Sequence, residues 1–146
     1  MKRLLKIFAY VFSVILLLVA ILLIYVKTML PDVGNPPEMK VEMSPEKIER
    51  GYYLANHVMV CMDCHSKRDW TLFSGPIIAG TEGIGGEVFD QKTGFPGKYI
   101  SSNITPYNLG KWSDGEIFRA ITTGVSKDGR ALFSIMPYHN FGQLDV

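Results

Sequence analysis

The sequence predicts a mainly α protein: one N-terminal membrane-spanning helix, then one small helical domain. Three observations carry this. Residues 7–26, IFAYVFSVILLLVAILLIYV, contain no charged side chain. Two later stretches, SPEKIERGYYLANHV and WSDGEIFRAITTGV, set helix-start residues ahead of apolar residues at helical spacing. Between them, residues 75–110 hold eight of the fourteen glycines, so turn chemistry is concentrated rather than dispersed. A chain of 146 residues has room for one such domain.

The apolar run comes first. Twenty residues at about 1.5 Å each span roughly 30 Å, the hydrocarbon thickness of a bilayer. A cleavable signal peptide ends in small residues, whereas this run ends in Ile24, Tyr25 and Val26. An uncleaved anchor over residues 1–30 is therefore expected. Lys2, Arg3 and Lys6 precede the run and Lys27 follows it, which keeps the N-terminus in the cytoplasm and exports the rest. The first thirty residues carry four basic residues and no acid, leaving eleven bases against fourteen acids beyond. An exported part that is mildly acidic argues against nucleic-acid binding, which rewards a basic patch.

Residues 31–43, PDVGNPPEMKVEM, contain three prolines and no apolar period. They read as an extended tether that reaches up to about 40 Å at about 3.1 Å per residue. A domain over 44–146 follows. Its first helix has Ser44 as N-cap, Pro45 in the first turn and Glu46 near the positive dipole end, with Ile48, Tyr52 and Ala55 on one face. It leads directly into CMDCH, residues 61–65. The glycine-rich stretch 75–110, with Pro76, Pro96 and Pro106, is too long for a structureless loop unless it wraps a bound group. Ser113 and Glu116 form a capping box for the second helix, whose apolar face is Ile117, Ala120 and Ile121 and whose C-cap is Gly124. The remainder, SKDGRALFSIMPYHNFGQLDV, returns to loop chemistry.

CMDCH admits four chemistries: disulfide, zinc site, redox dithiol or haem anchor. A disulfide across two residues closes too small a loop to stabilise much. Zinc needs two further ligands, and the other histidines, His57 and His139, have ordinary packing or surface roles. A thioredoxin-like dithiol follows a strand, whereas helix signals precede this motif. Haem gains from geometry. Cys61 and Cys64 lie three apart on one side of a helical turn, in position for two thioether bonds, and His65 is then next to the ring with its imidazole directed at iron.

The sixth iron position asks for a ligand from the opposite face. Met59 and Met62 lie in or beside the attachment turn, and Met39 and Met43 precede the first helix. Met136, in SIMPYHNFG beside a stiffening proline, is the best candidate, with His139 behind it. His/Met ligation raises the reduction potential and leaves no open position, so such a site carries single electrons. Tyr99, Ile100, Phe133 and Ile135 are candidate haem walls, Trp112 and Arg130 candidate propionate donors, and Pro76 a candidate carbonyl for the His65 ring nitrogen.

The order CMDCH, SSNITP, KWSDGEIFRAITTGV and KDGRALFSIMPY resembles the membrane-anchored monohaem class I cytochromes c, and is similar to the haem domains in cytochrome subunits of bacterial periplasmic dehydrogenases. The resemblance covers residues 44–144. It implies one covalent haem c on Cys61 and Cys64, axial His65 and Met136, an all-helical fold, and a single-pass location in the bacterial cytoplasmic membrane with the haem domain periplasmic. It also implies a C-terminal helix packed across the first. GQLDV looks like the approach to that helix cut short, so a fragment is expected, the alternative being an uncovered apolar face on residues 44–57.

The leading reading is an electron carrier rather than an enzyme. It would take electrons from a dehydrogenase or quinol-oxidising donor and pass them to an oxidase or another cytochrome, through small transient contacts. The alternatives are a haem-based gas or redox sensor or enzyme subunit with a labile sixth ligand, and a non-haem dithiol or zinc module.

Overall fold

The structure, a computed structural model, describes residues 2–144; Met1 and the last two residues of the GQLDV stretch lie outside the described residues. The chain is mainly helical. Helix α1 runs Lys2–Met29 and buries none of its side chains against the rest of the protein. Within its 28 residues an 18-residue window has a mean hydropathy of 3.2, so it is long and apolar enough to cross a membrane.

Residues 30–43 are extended, as their prolines require, but they do not hang free. The Gly34 carbonyl accepts from Arg119 Nη1 at 3.3 Å, and the Val41 N–H donates to Asp114 Oδ2 at 2.7 Å. Between these points the Pro37 carbonyl occupies the space a Cβ on Gly115 would need. The extended tether expected from composition is thus laid against α5 (Asp114–Thr123).

Helix α2, Pro45–Tyr53, starts as its sequence dictates: Ser44 Oγ accepts from the Lys47 N–H at 3.3 Å and Pro45 sits in the first turn. A backbone hydrogen bond, with help from Ser44, holds the Glu46 carboxyl below its ordinary range. The helix then widens. Leu54–Val58 is a π turn, closed by the Met59 N–H on the Leu54 carbonyl at 2.8 Å. Val60, with φ +47°, ends the run in the left-handed region, and α3, Cys61–His65, begins anew. Helix α2 has no buried residue, and Ile48 and Tyr52 are 54% and 67% exposed.

The glycine-rich stretch has more order than its composition predicts. Strands β1, Val88–Phe89, and β2, Tyr99–Ile100, pair antiparallel with Phe89 opposite Tyr99. The turn between them contains one 3-10 turn capped by Asp90, and the short helix α4, Pro106–Leu109, follows.

Helix α5, Asp114–Thr123, has the expected capping box: Ser113 Oγ accepts from the Glu116 N–H at 3.2 Å and Glu116 Oε2 accepts from the Ser113 N–H at 2.8 Å. Gly124 ends it at φ +70°, where a Cβ would lie 2.5 Å from the Tyr138 ring. Helix α6, Tyr138–Phe141, is a single turn that loop composition does not announce. So short a helix is not stable alone and exists here through packing on α5. Both Gly124 and Gly142, whose Cβ would meet the Thr122 carbonyl at 2.6 Å, permit that approach. Among the described residues the buried apolar side chain, Val125 at 3% exposed, lies here with Ser126 and Arg119.

Candidate functional site

Helix α3 brings Cys61, Cys64 and His65 onto one turn. Both cysteines are free and half-buried. Burial pushes both thiols above their ordinary range, and at Cys64 the neighbouring charges of Asp63 and Glu87 push further up against the pull of Arg68. Reactive dithiols need the opposite, an electropositive setting that favours thiolate. Among the described residues no three His, Cys, Asp or Glu side chains gather as a metal-binding group, so His57 and His139 do not join the cysteines. His57 instead packs against Tyr53.

His65 is held from behind. Its Nδ1 lies 2.7 Å from the Ser102 carbonyl. A carbonyl only accepts, so Nδ1 carries the proton and Nε2 keeps its lone pair for a ligand. The sequence pointed to Pro76 for this orienting carbonyl, and the structure corrects it: the Pro76 carbonyl accepts from the Asp69 N–H at 2.9 Å, because residues 68 and 77 close a bridge that turns the segment away from α3. Ser102 stands in SSNITP, so the signal was present as a motif, without a role attached to it.

Two further contacts fix the turn. The fully buried Ser66 accepts from the Gly83 N–H at 3.2 Å, and the His65 carbonyl accepts from the Gly85 N–H at 2.7 Å. Gly85, at φ +72°, lies against residues 101–103, where a Cβ would come within 2.5 Å of the Ser101 carbonyl. The order is therefore α3, the 83–85 strip, then the segment bearing Ser102. Met62 Sδ sits 3.8 Å from the Cβ position of Gly83, in the wall behind the turn.

Across the loops, Tyr99 and Phe133 stack with ring centroids 3.7 Å apart, and Phe95 meets Phe133 edge-on at 6.3 Å. This cluster joins the glycine-rich stretch to the segment that carries Ile135 and Met136. Ile100 is exposed; Ile135 and Met136 are half-buried. Met136 lies just before α6, its N–H on the Phe133 carbonyl, and no hydrogen bond joins it to residues 61–65 among the described residues. His139, its alternative, is an exposed residue of α6. Trp112 is half-buried before α5 and Arg130 is exposed.

The residues present fit a covalently held haem. They offer two neutral sulfurs on one turn, an adjacent imidazole with Nδ1 engaged, and aromatic and aliphatic side chains on the facing loops that the protein's own packing covers only in part.

No family model matches the chain. Over 100 residues, 66% of the chain, it is 30% identical to the cytochrome c subunit of a quinone alcohol dehydrogenase from Gluconacetobacter polyoxogenes, and equally to that from Komagataeibacter europaeus. Over 105 residues, 70% of the chain, it is 32% identical to one subunit of the nicotinate dehydrogenase of Pseudomonas putida. The matched stretch spans only 18% of the length of the first two relatives and 8% of the third. The chain is thus similar to one segment of longer dehydrogenase subunits, two of them cytochrome c subunits.

Proposed function

We propose that this chain is a membrane-anchored c-type cytochrome that carries single electrons through one covalent haem c. The observation that carries the reading is the His65 Nδ1 contact with the Ser102 carbonyl, made by the histidine of a C-x-x-C-H turn. An imidazole so held keeps one tautomer and one orientation, which a dithiol would not require. When bound, the group supplies reversible one-electron chemistry at iron.

The chain's own residues divide the remaining work. Cys61 and Cys64 would hold the cofactor by thioether bonds, and His65 would offer Nε2 to the iron, its basicity raised by the Ser102 carbonyl on Nδ1. Met136 would supply the second iron-binding side chain, from a loop tied to α5 through α6 and to the glycine-rich stretch through Phe133. Helix α1 anchors the chain once in the bacterial cytoplasmic membrane, with residues 44–146 on the periplasmic side. The donor is a dehydrogenase or a quinol-oxidising complex, in keeping with the relatives' names, and the acceptor is an oxidase or another cytochrome.

A pyridine haemochrome spectrum of the denatured chain tests the cofactor, since covalent haem c stays with the polypeptide and the dithiol and zinc readings predict none. Met136→Ala tests the sixth ligand. Loss of the low-spin spectrum is expected, and an unchanged spectrum overturns the assignment.

A further inference from the structure

The segment between anchor and domain is where composition and structure part most. Thirteen free residues would let the domain roam up to about 40 Å from the bilayer. Yet residues 34–41 lie along α5, held at the Gly34 carbonyl by Arg119, at the Val41 N–H by Asp114, and between them by Pro37 against Gly115. We infer that this segment is a docked strap that holds the α5 side of the domain close to the membrane.

The construction favours docking over chance contact. Arg119 is only 9% exposed and its guanidinium also donates to the carbonyls of Ser126 and Lys127, so the group that grips Gly34 is itself immobilised. The Val41 N–H meets a carboxylate, and hydrogen bonds to an ionised acceptor are stronger than neutral ones. Gly115 stands in the first turn of a helix where alanine would be the better helix former, and the Pro37 carbonyl fills the place of its missing methyl. With Gly34 fixed, only residues 30–33 remain between the end of α1 and the first docked point. Five Cα steps at 3.3–3.6 Å reach about 18 Å at most. The strap therefore cuts the reach of the tether by more than half.

The distance rests on the anchor reading proposed above; the docking does not. The test uses the full chain in lipid nanodiscs. In hydrogen exchange, the Val41 amide is expected to exchange at least about tenfold more slowly than that of Val33, relative to their intrinsic rates. Exchange at equal relative rates overturns the docking. Gly115→Ala favours the helix and obstructs only the strap, and Val41→Pro removes the donor without touching α5. Each is expected to raise proteolytic cleavage within residues 34–41 severalfold while α5 keeps its exchange protection, and cleavage unchanged in both overturns the strap. Neutron reflectometry on a supported bilayer then reads the gap beneath the domain, expected to widen in both variants; an unchanged gap overturns the positional role. A wild-type chain that alkaline carbonate strips from membranes would overturn the anchor reading and the distance with it, leaving Val41 exchange to judge the docking alone.

Discussion

Helices α2 and α5 are nearly the same length and both start at a serine N-cap, yet they live in different environments. Helix α5 buries Gly115 and Arg119, receives the strap on its first turn and α6 on its last. Helix α2 buries nothing and passes through a π turn and a left-handed valine into the CMDCH turn. The protein's own packing is thus invested on the α5 side. The α2–α3 side is held by the Ser66 hydroxyl and the His65 carbonyl, which accept from the 83–85 strip, and, on the proposed function, by the cofactor. Local helix signals say where a helix starts, and tertiary contacts decide how firmly it is kept.

The sharpest way to break this comparison is to remove the attachment residues. Replacing both Cys61 and Cys64 by alanine is expected to abolish covalent haem in the haemochrome assay. Hydrogen exchange should then show residues 45–65 losing most protection while α5 keeps its own; equal loss in both helices would mean that they are not separately supported.

The reciprocal experiment strikes the α5 side. Arg119→Met leaves the carbonyls of Gly34, Ser126 and Lys127 without their donor, and a cost of about 3 kcal/mol in denaturant unfolding is expected, with covalent haem still attached. A smaller effect is expected from Gly85→Ala. Its left-handed φ alone costs about 1 kcal/mol, and the new methyl presses on the segment that carries Ser102. A weakened carbonyl contact makes His65 a poorer donor to iron, so voltammetry should find the reduction potential raised.

The smallest effect is electrostatic. Glu116 is held below its ordinary value of 4.5 chiefly by the Ser113 N–H, with Lys127 Nζ adding an ion pair at 3.1 Å. A depressed carboxylate stabilises above its unfolded value and loses that contribution as pH falls through its folded value. Wild type should therefore exceed Glu116→Gln in denaturant midpoint at pH 7, and the gap should close as pH falls below about 4.5. A gap that persisted at pH 3 would show that the capping box acts through shape rather than charge.

What could be read in the sequence follows the range of the forces involved. The long apolar helix, the Ser44 and Ser113 caps, Gly124 and the single turn of CMDCH are local patterns, and they stand where spacing put them. The contacts that orient the site are not local. Ser102 reaches His65 across 37 positions and Arg119 reaches Gly34 across 85, and neither carbonyl has a side-chain signature. The Pro76 expectation failed for this reason: the carbonyl that meets the His65 ring belongs to Ser102, beyond the β1–β2 hairpin. Helix α6 was hidden likewise, since its stability lies in the glycines that admit it to α5.

Val60 has a consequence for how this motif can evolve. Along an unbroken helix each inserted or deleted residue would swing the cysteines by about 100° relative to what precedes them. A left-handed residue immediately before Cys61 interrupts that gearing. The five residues after it are oriented by the 83–85 strip and Ser102 instead, so the length of the preceding helix can drift while thiols and imidazole keep their aim. CMDCH is in this sense a cassette, carried by its joint and read by the loops in front of it.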